Sequence, residues 1–240
     1  MKKLFLGIAL LSIFIIKANS TERELPLFTA TSLNADDEDP LYYIYEEFKT
    51  ESPYDFNLNI GYGIIVNRTK GISGPAKDFE NKLSRGLTWS AKFHRYYRSN
   101  LGWGLIYSGY NSSAVYNSID HNTFLTYIGP IFAGRAVFEQ WELKYEIGFG
   151  YLGYRNNASA VSGYGEGKIT GRTVGTNMAI GADYKVTKNF GIGFEIEMIG
   201  GSYGKLNYTN VVPEVEVNKD NRMGVSRINF AIGCRFCFGK

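Results

Sequence analysis

The last strand-like stretch of the chain, residues 226–238, alternates between two kinds of side chain almost to its end. Apolar side chains occupy one parity: Ile228, Phe230, Ile232, Cys234, Phe236 and Phe238. Polar or small side chains occupy the other: Arg227, Asn229, Ala231, Gly233 and Arg235. Because successive side chains of a β-strand point to opposite faces, this stretch predicts a strand with one apolar face and one face that carries two arginines.

The same alternation recurs along the chain and predicts eight strands. They lie near residues 54–67, 83–96, 100–110, 123–133, 140–151, 172–184, 190–199 and 226–238. The stretch 123–133 is apolar on both parities, so the sequence does not assign its faces. The 28 glycines and the 15% aromatic content favour strands and tight turns over helices.

The connections between these strands alternate between short and long. The short ones lie near residues 97–99, 134–139 and 186–189, and the long ones near 68–82, 111–122, 155–170 and 200–224. Three short turns and four long loops are the pattern of an eight-stranded up-and-down barrel with both ends on one side of a membrane. The sequence therefore predicts an all-β, eight-stranded antiparallel barrel.

The charged residues of the smaller face share one parity on strands that are expected to be neighbours. They are Glu142, Lys144, Glu146, Glu195, Glu197, Arg227 and Arg235. A soluble barrel would place apolar side chains inside, but those of the opposite parity are too many and too bulky for the lumen of eight strands. We therefore expect a transmembrane barrel with a lipid-facing apolar exterior and a salt-bridged, charged interior.

The N-terminal residues differ from the rest of the chain. Residues 1–20 combine a basic start, a short apolar run and the small-x-small pattern Ala18-Asn-Ser20, which predicts a cleaved signal peptide. Residues 21–52 form an acidic and aromatic lead-in that includes Asp36-Asp-Glu-Asp39, and we expect it in the periplasm. Residues 53–240 form the predicted barrel domain.

Several stretches resemble the small outer-membrane β-barrel family of the OmpA, OmpX and OmpW type. They are Tyr127-Ile-Gly-Pro130, residues 146–154, residues 183–193 and the aromatic C-terminal strand. The resemblance covers residues 54–240. It implies an integral protein of the bacterial outer membrane, surrounded by membrane lipids and lipopolysaccharide, whose last strand the barrel-assembly machinery reads. The resembling motifs are specific for architecture and not for activity. The paired interior charges favour a filled lumen, so we expect a role in envelope integrity or in surface recognition (adhesion) through four external loops, with the surface ligand unspecified.

Other motifs do not indicate a cofactor, a metal or nucleic acid. Residues 148–153 match G-x-G-x-x-G, but they lie inside an alternating strand, where a dinucleotide site requires a turn followed by a helix. Cys234 and Cys237 are about 10 Å apart in an extended strand and face opposite sides, which favours packing roles over a disulfide. The net charge of +3 is too small to argue for nucleic acid.

Two further functions stay open. Some barrels that resemble this one modify lipid A with a histidine and a serine or carboxylate. His121 with Asp120 and Ser118 is the candidate set, because it falls in the predicted second external loop, on the side of the membrane that holds lipid A. A narrow pore for small solutes is the third possibility.

Overall fold

The computed structural model describes residues 52–67, 74–97, 100–160, 166–210 and 223–239, apart from the side chains of residues 160 and 166. The signal peptide and nearly all of the lead-in lie outside these ranges, so their assignments stay predictions. The strands are β1 Tyr54–Ile65, β2 Arg85–Tyr97, β3 Leu101–Tyr116, β4 Ile119–Phe138, β5 Trp141–Ala160, β6 Glu166–Thr187, β7 Phe190–Tyr203, β8 Leu206–Thr209 and β9 Met223–Phe238. One helix, α1 Pro75–Leu83, follows β1.

Eight of these strands close into a barrel. Each pairs antiparallel with its neighbours in the order β5-β4-β3-β2-β1-β9-β7-β6, and a β5–β6 pairing completes the ring. The short strand β8 pairs only with Lys168–Gly171 of β6, beyond the point where β6 leaves β7. Closure leaves the barrel without a free edge, so the backbone is satisfied within the wall. The predicted eight-stranded up-and-down barrel is confirmed.

The barrel has two different ends. At the turn end, β4 joins β5 through Glu139–Gln140 and β6 joins β7 through Lys188–Asn189, and the barrel strands both begin and finish there. The predicted turn at 134–139 is too long, because β4 continues to Phe138. The opposite, loop end carries α1 and the connections around residues 161–165 and 211–222, which lie outside the described ranges.

The predicted second loop, residues 111–122, is wrong. β3 continues to Tyr116 and β4 starts at Ile119, so only Asn117 and Ser118 connect them. Both residues have positive φ, 49° and 60°, as a tight two-residue hairpin turn requires. The polar run Asn111-Ser-Ser113 suggested a loop, but its residues pair in register with 122–124 of β4.

The outer surface is a broad apolar belt. Large exposed side chains include Ile60, Leu87, Trp103, Phe132, Trp141, Ile147, Phe149, Val174, Ile192 and Ile232. β4 now has assigned faces: Phe124, Ile128 and Phe132 point outward, whereas Leu125, Tyr127 and Ile131 point into the barrel. This arrangement confirms a lipid-facing apolar exterior. Within the described ranges, no helix is long and apolar enough to span a membrane.

Candidate functional site

The interior of the turn-end half is an ionic network centred on Lys92. Its ammonium group lies 2.6 Å from Glu146 Oε2, 2.8 Å from Glu195 Oε2 and 3.6 Å from Glu197 Oε1. These four side chains come from β2, β5 and β7, and no two of these strands are neighbours in the wall. All four are buried. One cation therefore links opposite sides of the barrel across its lumen.

His94 is two residues after Lys92 in β2 and shares its inward face. It joins the network through both ring nitrogens. Nδ1 lies 2.6 Å from Asp55 Oδ1, and Nε2 lies 3.1 Å from Glu146 Oε1. Asp55 is in turn bound by Lys144 Nζ at 2.7 Å. Asp55 is contributed by β1, His94 by β2 and the other two by β5, so the histidine holds carboxylates of two distant strands together.

Lys144 continues the network toward β6 and β9. Its Nζ lies 3.0 Å from Asp183 Oδ2 and 3.5 Å from Glu142 Oε1. Arg235 Nε donates to Asp183 Oδ1 at 2.8 Å, and Arg235 Nη1 donates to the side-chain oxygen of Asn59. The network thus joins β1, β2, β5, β6, β7 and β9 across the lumen at the turn end.

Arg135 closes the turn-end opening. Its guanidinium group stacks 3.9 Å above the Tyr96 ring, and Nη2 donates to the Ser52 carbonyl at 3.0 Å. Glu142 Oε1 lies 3.8 Å from Arg135 Nη1, and Glu142 Oε2 lies 3.3 Å from Lys185 Nζ. Ser52 precedes β1, so the start of the described barrel is bound across the opening to β4.

The interior of the loop-end half is apolar instead. Its buried cluster consists of Ile106, Tyr110, Leu125, Tyr127, Ile131, Leu152, Ile199, Tyr203 and Val225. Arg227 lies between the two halves: its Nη2 donates to Ser108 Oγ at 2.8 Å, and Ser108 Oγ donates to Glu197 Oε2 at 3.2 Å. We call these two regions the ionic half and the apolar half of the interior.

Helix α1 folds over the loop-end opening. The Leu83 carbonyl at its end accepts hydrogen bonds from Tyr110 Oη at 2.7 Å and Ser112 Oγ at 2.8 Å. The Phe79 ring lies 5.0 Å from the rings of both Tyr116 and His121. A groove lined by Pro75, Phe79, Val115 and Tyr116 separates the helix from the β3–β4 hairpin.

The structure places all seven charged residues of the predicted interior inside the barrel. It adds five charged or titratable interior residues that were not part of the predicted charge network, although the sequence already placed His94 inward: Asp55, Lys92, His94, Arg135 and Asp183. Lys92, His94 and Asp183 share the inward parity of their strands, which was the available signal. The apolar half was not foreseen, because its residues look like a lipid-facing set when strands are considered singly.

The candidate set Ser118, Asp120 and His121 is not brought together. His121 lies within β4 and not in a loop, and its Nδ1 is 3.3 Å from Asn156 Oδ1. Asp120 precedes it in the same strand, so the two side chains leave opposite faces of the sheet. Ser118 belongs to the hairpin turn. The histidine therefore contacts an amide and the Phe79 ring.

The interior groups are arranged to bind one another. Lys92 and Lys144 each contact three carboxylates, and Asn59 and Asn177 take up further donor and acceptor positions. Across the described ranges, no group of three or more His, Cys, Asp or Glu side chains is arranged to hold a metal ion. Both cysteines are unpaired thiols. The network is suited to filling the lumen with matched charge.

Comparison with solved structures identifies the architecture. A major outer membrane protein from Thermus thermophilus aligns with a TM-score of 0.51 and 11% identity over 77% of this chain and 99% of that one. OprG from Pseudomonas aeruginosa aligns with a TM-score of 0.50 and 10% identity over 79% of this chain and 98% of that one. The fold is that of the small bacterial outer-membrane β-barrels.

This fold assignment rests on structure alone. No protein-family model and no curated protein matches the chain. Neisserial surface protein A is a further similar structure, with a TM-score of 0.49 and 14% identity over 78% of this chain and 98% of that one. At these identities the outer-membrane barrel fold is shared, whereas the activity of each protein is its own.

Proposed function

We propose that this protein is a closed barrel of the bacterial outer membrane that supports the envelope and presents its loop-end surface for recognition. The observation that carries the proposal is the filled interior. Ion pairs occupy the ionic half and packed side chains the apolar half, and the largest buried side chains include Arg227, Tyr110, Tyr127 and Lys92. A lumen filled in this way acts as a rigid plug and not as a water-filled channel.

The orientation follows from the asymmetry of the two ends. Barrels of this fold have short turns on the periplasmic side and longer connections outside. We therefore assign the turn end, with Ser52 and the predicted lead-in before it, to the periplasm. Helix α1 and the β3–β4 hairpin are then exposed to the medium, where recognition takes place.

The loop-end surface carries a fixed and exposed element, the helix α1, that a partner can contact. α1 is fixed by two hydrogen bonds and two ring contacts to the barrel wall, yet Asp78, at the groove beside the β3–β4 hairpin, is exposed. A fixed element presents the same surface to every partner and loses little conformational entropy on binding. The geometry around His121 supports recognition over lipid modification, because Asp120 leaves the opposite face of β4 and Ser118 lies in the hairpin turn, so the candidate set is not assembled around the ring.

Site-directed labelling tests the orientation. In a background in which Cys234 and Cys237 are replaced by alanine, Asp78→Cys should react with a membrane-impermeant maleimide on intact cells. The matched variant Lys188→Cys, in the exposed β6–β7 turn, should react only after the outer membrane is permeabilised. Labelling of Lys188→Cys and not of Asp78→Cys on intact cells would reverse the proposed orientation.

A planar-bilayer recording tests the closed lumen. The purified full-length protein should give no stepwise conductance, and Lys92→Ser/Arg235→Ser should give measurable steps, because these changes remove two of the side chains that fill the ionic half. Stable conductance of the wild-type protein would favour the pore. A mass spectrum of lipid A that changes on gene deletion, and is restored by wild type but not by His121→Ala, would favour the enzyme.

A further inference from the structure

A shallow groove lies on the outer surface of the barrel, between β5 and β6. It has a volume of about 400 Å³ and is lined by Phe149, Tyr151, Val174 and Arg172. The apolar lining is strongly exposed, with Phe149 at 60% and Val174 at 73% of full accessibility. Such a groove on the lipid-facing belt accommodates an acyl chain.

Three cations stand at the loop-end side of this groove. Register places Tyr151 beside Val174, Gly153 beside Arg172, Arg155 beside Thr170, and Asn157 beside Lys168. Arg172, Arg155 and Lys168 therefore follow one another toward the loop end, all on the outward parity and all exposed. Arg155 uses its Nε to bind Asn157 Oδ1 at 3.0 Å, which orients its guanidinium group and leaves both terminal nitrogens for a ligand.

Among the described side chains, no carboxylate forms an ion pair with this column of cations. Within the described ranges Arg172 has no hydrogen bond or ion pair, whereas the interior arginines are paired with carboxylates or hydroxyl groups. An unpaired guanidinium group at the edge of an apolar belt attracts anions from the lipid headgroup layer. A ligand that fits this surface therefore has an acyl chain, which lies in the groove, and phosphate groups, which lie on the loop-end side of the groove.

We propose that this surface is a specific binding site for lipid A. An acyl chain of the lipid lies in the groove against Phe149, Tyr151 and Val174, and its phosphates are bound by Arg172, Arg155 and Lys168. The proposal rests on the orientation given under Proposed function, which places the cations in the outer leaflet. An arginine guanidinium group donates two parallel hydrogen bonds to two oxygens of one phosphate, which adds geometric selectivity to the attraction between charges.

The length of the cation column favours a headgroup with two phosphates. Arg172 and Lys168 are four residues apart on β6, and a strand rises about 3.4 Å per residue, so their Cα atoms are about 13 Å apart. One phosphate is too small to bridge that distance, whereas the phosphorylated disaccharide of lipid A carries a phosphate on each sugar. A phospholipid with a single phosphate would engage only part of the site.

Native mass spectrometry of the purified full-length protein tests the proposal. Released from detergent in the presence of bisphosphorylated lipid A, the wild type should retain one lipid molecule. Arg155→Ser/Arg172→Ser should retain at least tenfold less. Arg172→Lys, which keeps the charge, should retain an intermediate amount. Heat-modifiable migration on a gel checks that each variant is folded.

The matched control is Arg85→Ser. Arg85 is also exposed at the outward, loop-end start of a strand, but its partner in register on β1 is Ile64. Within the strands β1 and β2, no second cation lies beside it on the outer face. This variant should retain lipid A like the wild type. Equal loss in Arg85→Ser, or unchanged retention in the double variant, would overturn the proposal.

A second comparison tests the ligand itself. The wild type should prefer bisphosphorylated lipid A at least tenfold over both dephosphorylated lipid A and phosphatidylglycerol. Equal retention of either competitor would overturn the assignment to lipid A. Because these measurements use purified protein, their result is independent of the cell-surface labelling, and failure of the site is distinguishable from failure of the proposed orientation.

Discussion

At the turn end the barrel interior is filled by lysine, arginine, histidine and carboxylates, whereas at the loop end it is filled by leucine, isoleucine and tyrosine. Side chains fill the lumen in both halves, but different interactions stabilise them. In the ionic half, each charge is stable only while its partners are present, because a buried charge without a counter-ion is very costly. In the apolar half, a shortened side chain costs only the lost contacts and the cavity that it leaves.

We expect the two halves to respond differently to substitution. Contacts of the ionic half join strands that are far apart in the wall, such as Lys92 of β2 with Glu195 of β7. Loss of one member therefore affects several strands at once. Loss of an apolar residue is absorbed locally by neighbours that can shift. Four substitutions test this contrast.

Lys92→Met should give the largest destabilisation, about 3 to 5 kcal/mol of unfolding free energy, because it leaves three carboxylates without their common cation. The measurement is urea unfolding of the protein in lipid vesicles, followed by tryptophan fluorescence. Lys188→Met, in the exposed turn between β6 and β7, is the control and should change stability by less than about 0.5 kcal/mol. Similar values for the two variants would remove the distinction between the halves.

Arg235→Leu should cost about 3 kcal/mol in the same assay, because Asp183 and Asn59 lose a donor while Lys144 still compensates Asp183. Arg95→Leu provides the matched control. Arg95 lies at the same end but on the outer surface, where it stacks on Tyr54 and Tyr97. Its loss should cost no more than about 1 kcal/mol. An unchanged midpoint for Arg235→Leu would contradict the role of this ion pair.

Leu152→Ala tests the apolar half and should cost about 2 to 3 kcal/mol, the lower part of the range for a buried leucine. Leu152 is fully buried in the interior cluster. Leu105→Ala, on the outer surface, should cost less, because lipid chains fill the space that the shorter side chain leaves. A loss for Leu152→Ala as large as that for Lys92→Met would show that both halves are equally sensitive.

Tyr110→Phe should have the smallest effect, about 1 kcal/mol, because it removes one hydrogen bond to the Leu83 carbonyl and keeps the ring in the apolar half. The effect should be local. Amide hydrogen exchange in α1 should become faster, while exchange in the barrel strands stays unchanged. Tyr107→Phe, whose hydroxyl is on the outer surface, should leave exchange in α1 as in the wild type.

Most of the barrel was predictable because side-chain parity is a local property. Strand β5 alternates Trp141, Leu143, Tyr145 and Ile147 with charged or small residues, and that pattern alone assigns its two faces. β4 was not predictable in this way, because its apolar residues on one parity meet lipid and those on the other meet the apolar half. Only the wall around the lumen distinguishes the two environments.

Turn positions and the geometry of the candidate site also depended on tertiary contacts that the local sequence does not show. Asn111-Ser-Ser113 has the composition of a loop, yet pairing with β4 keeps these residues in β3. His121 lies in a strand because β4 pairs there with both β3 and β5. The tertiary pairing outweighed local turn preference, since every added pair satisfies two backbone groups. The candidate set around His121 failed for this reason: a strand separates adjacent side chains onto opposite faces.

The number of barrel strands, the parity of most of them and the presence of charge inside follow from consecutive residues alone, because a strand alternates its faces with a period of two. Which charges meet depends on the folded barrel. Lys92 finds Glu146 and Glu195 across the lumen, and the apolar half forms from residues of β3, β4, β5, β7 and β9. Those contacts depend on closure and strand stagger, which are properties of the whole ring and not of any single strand.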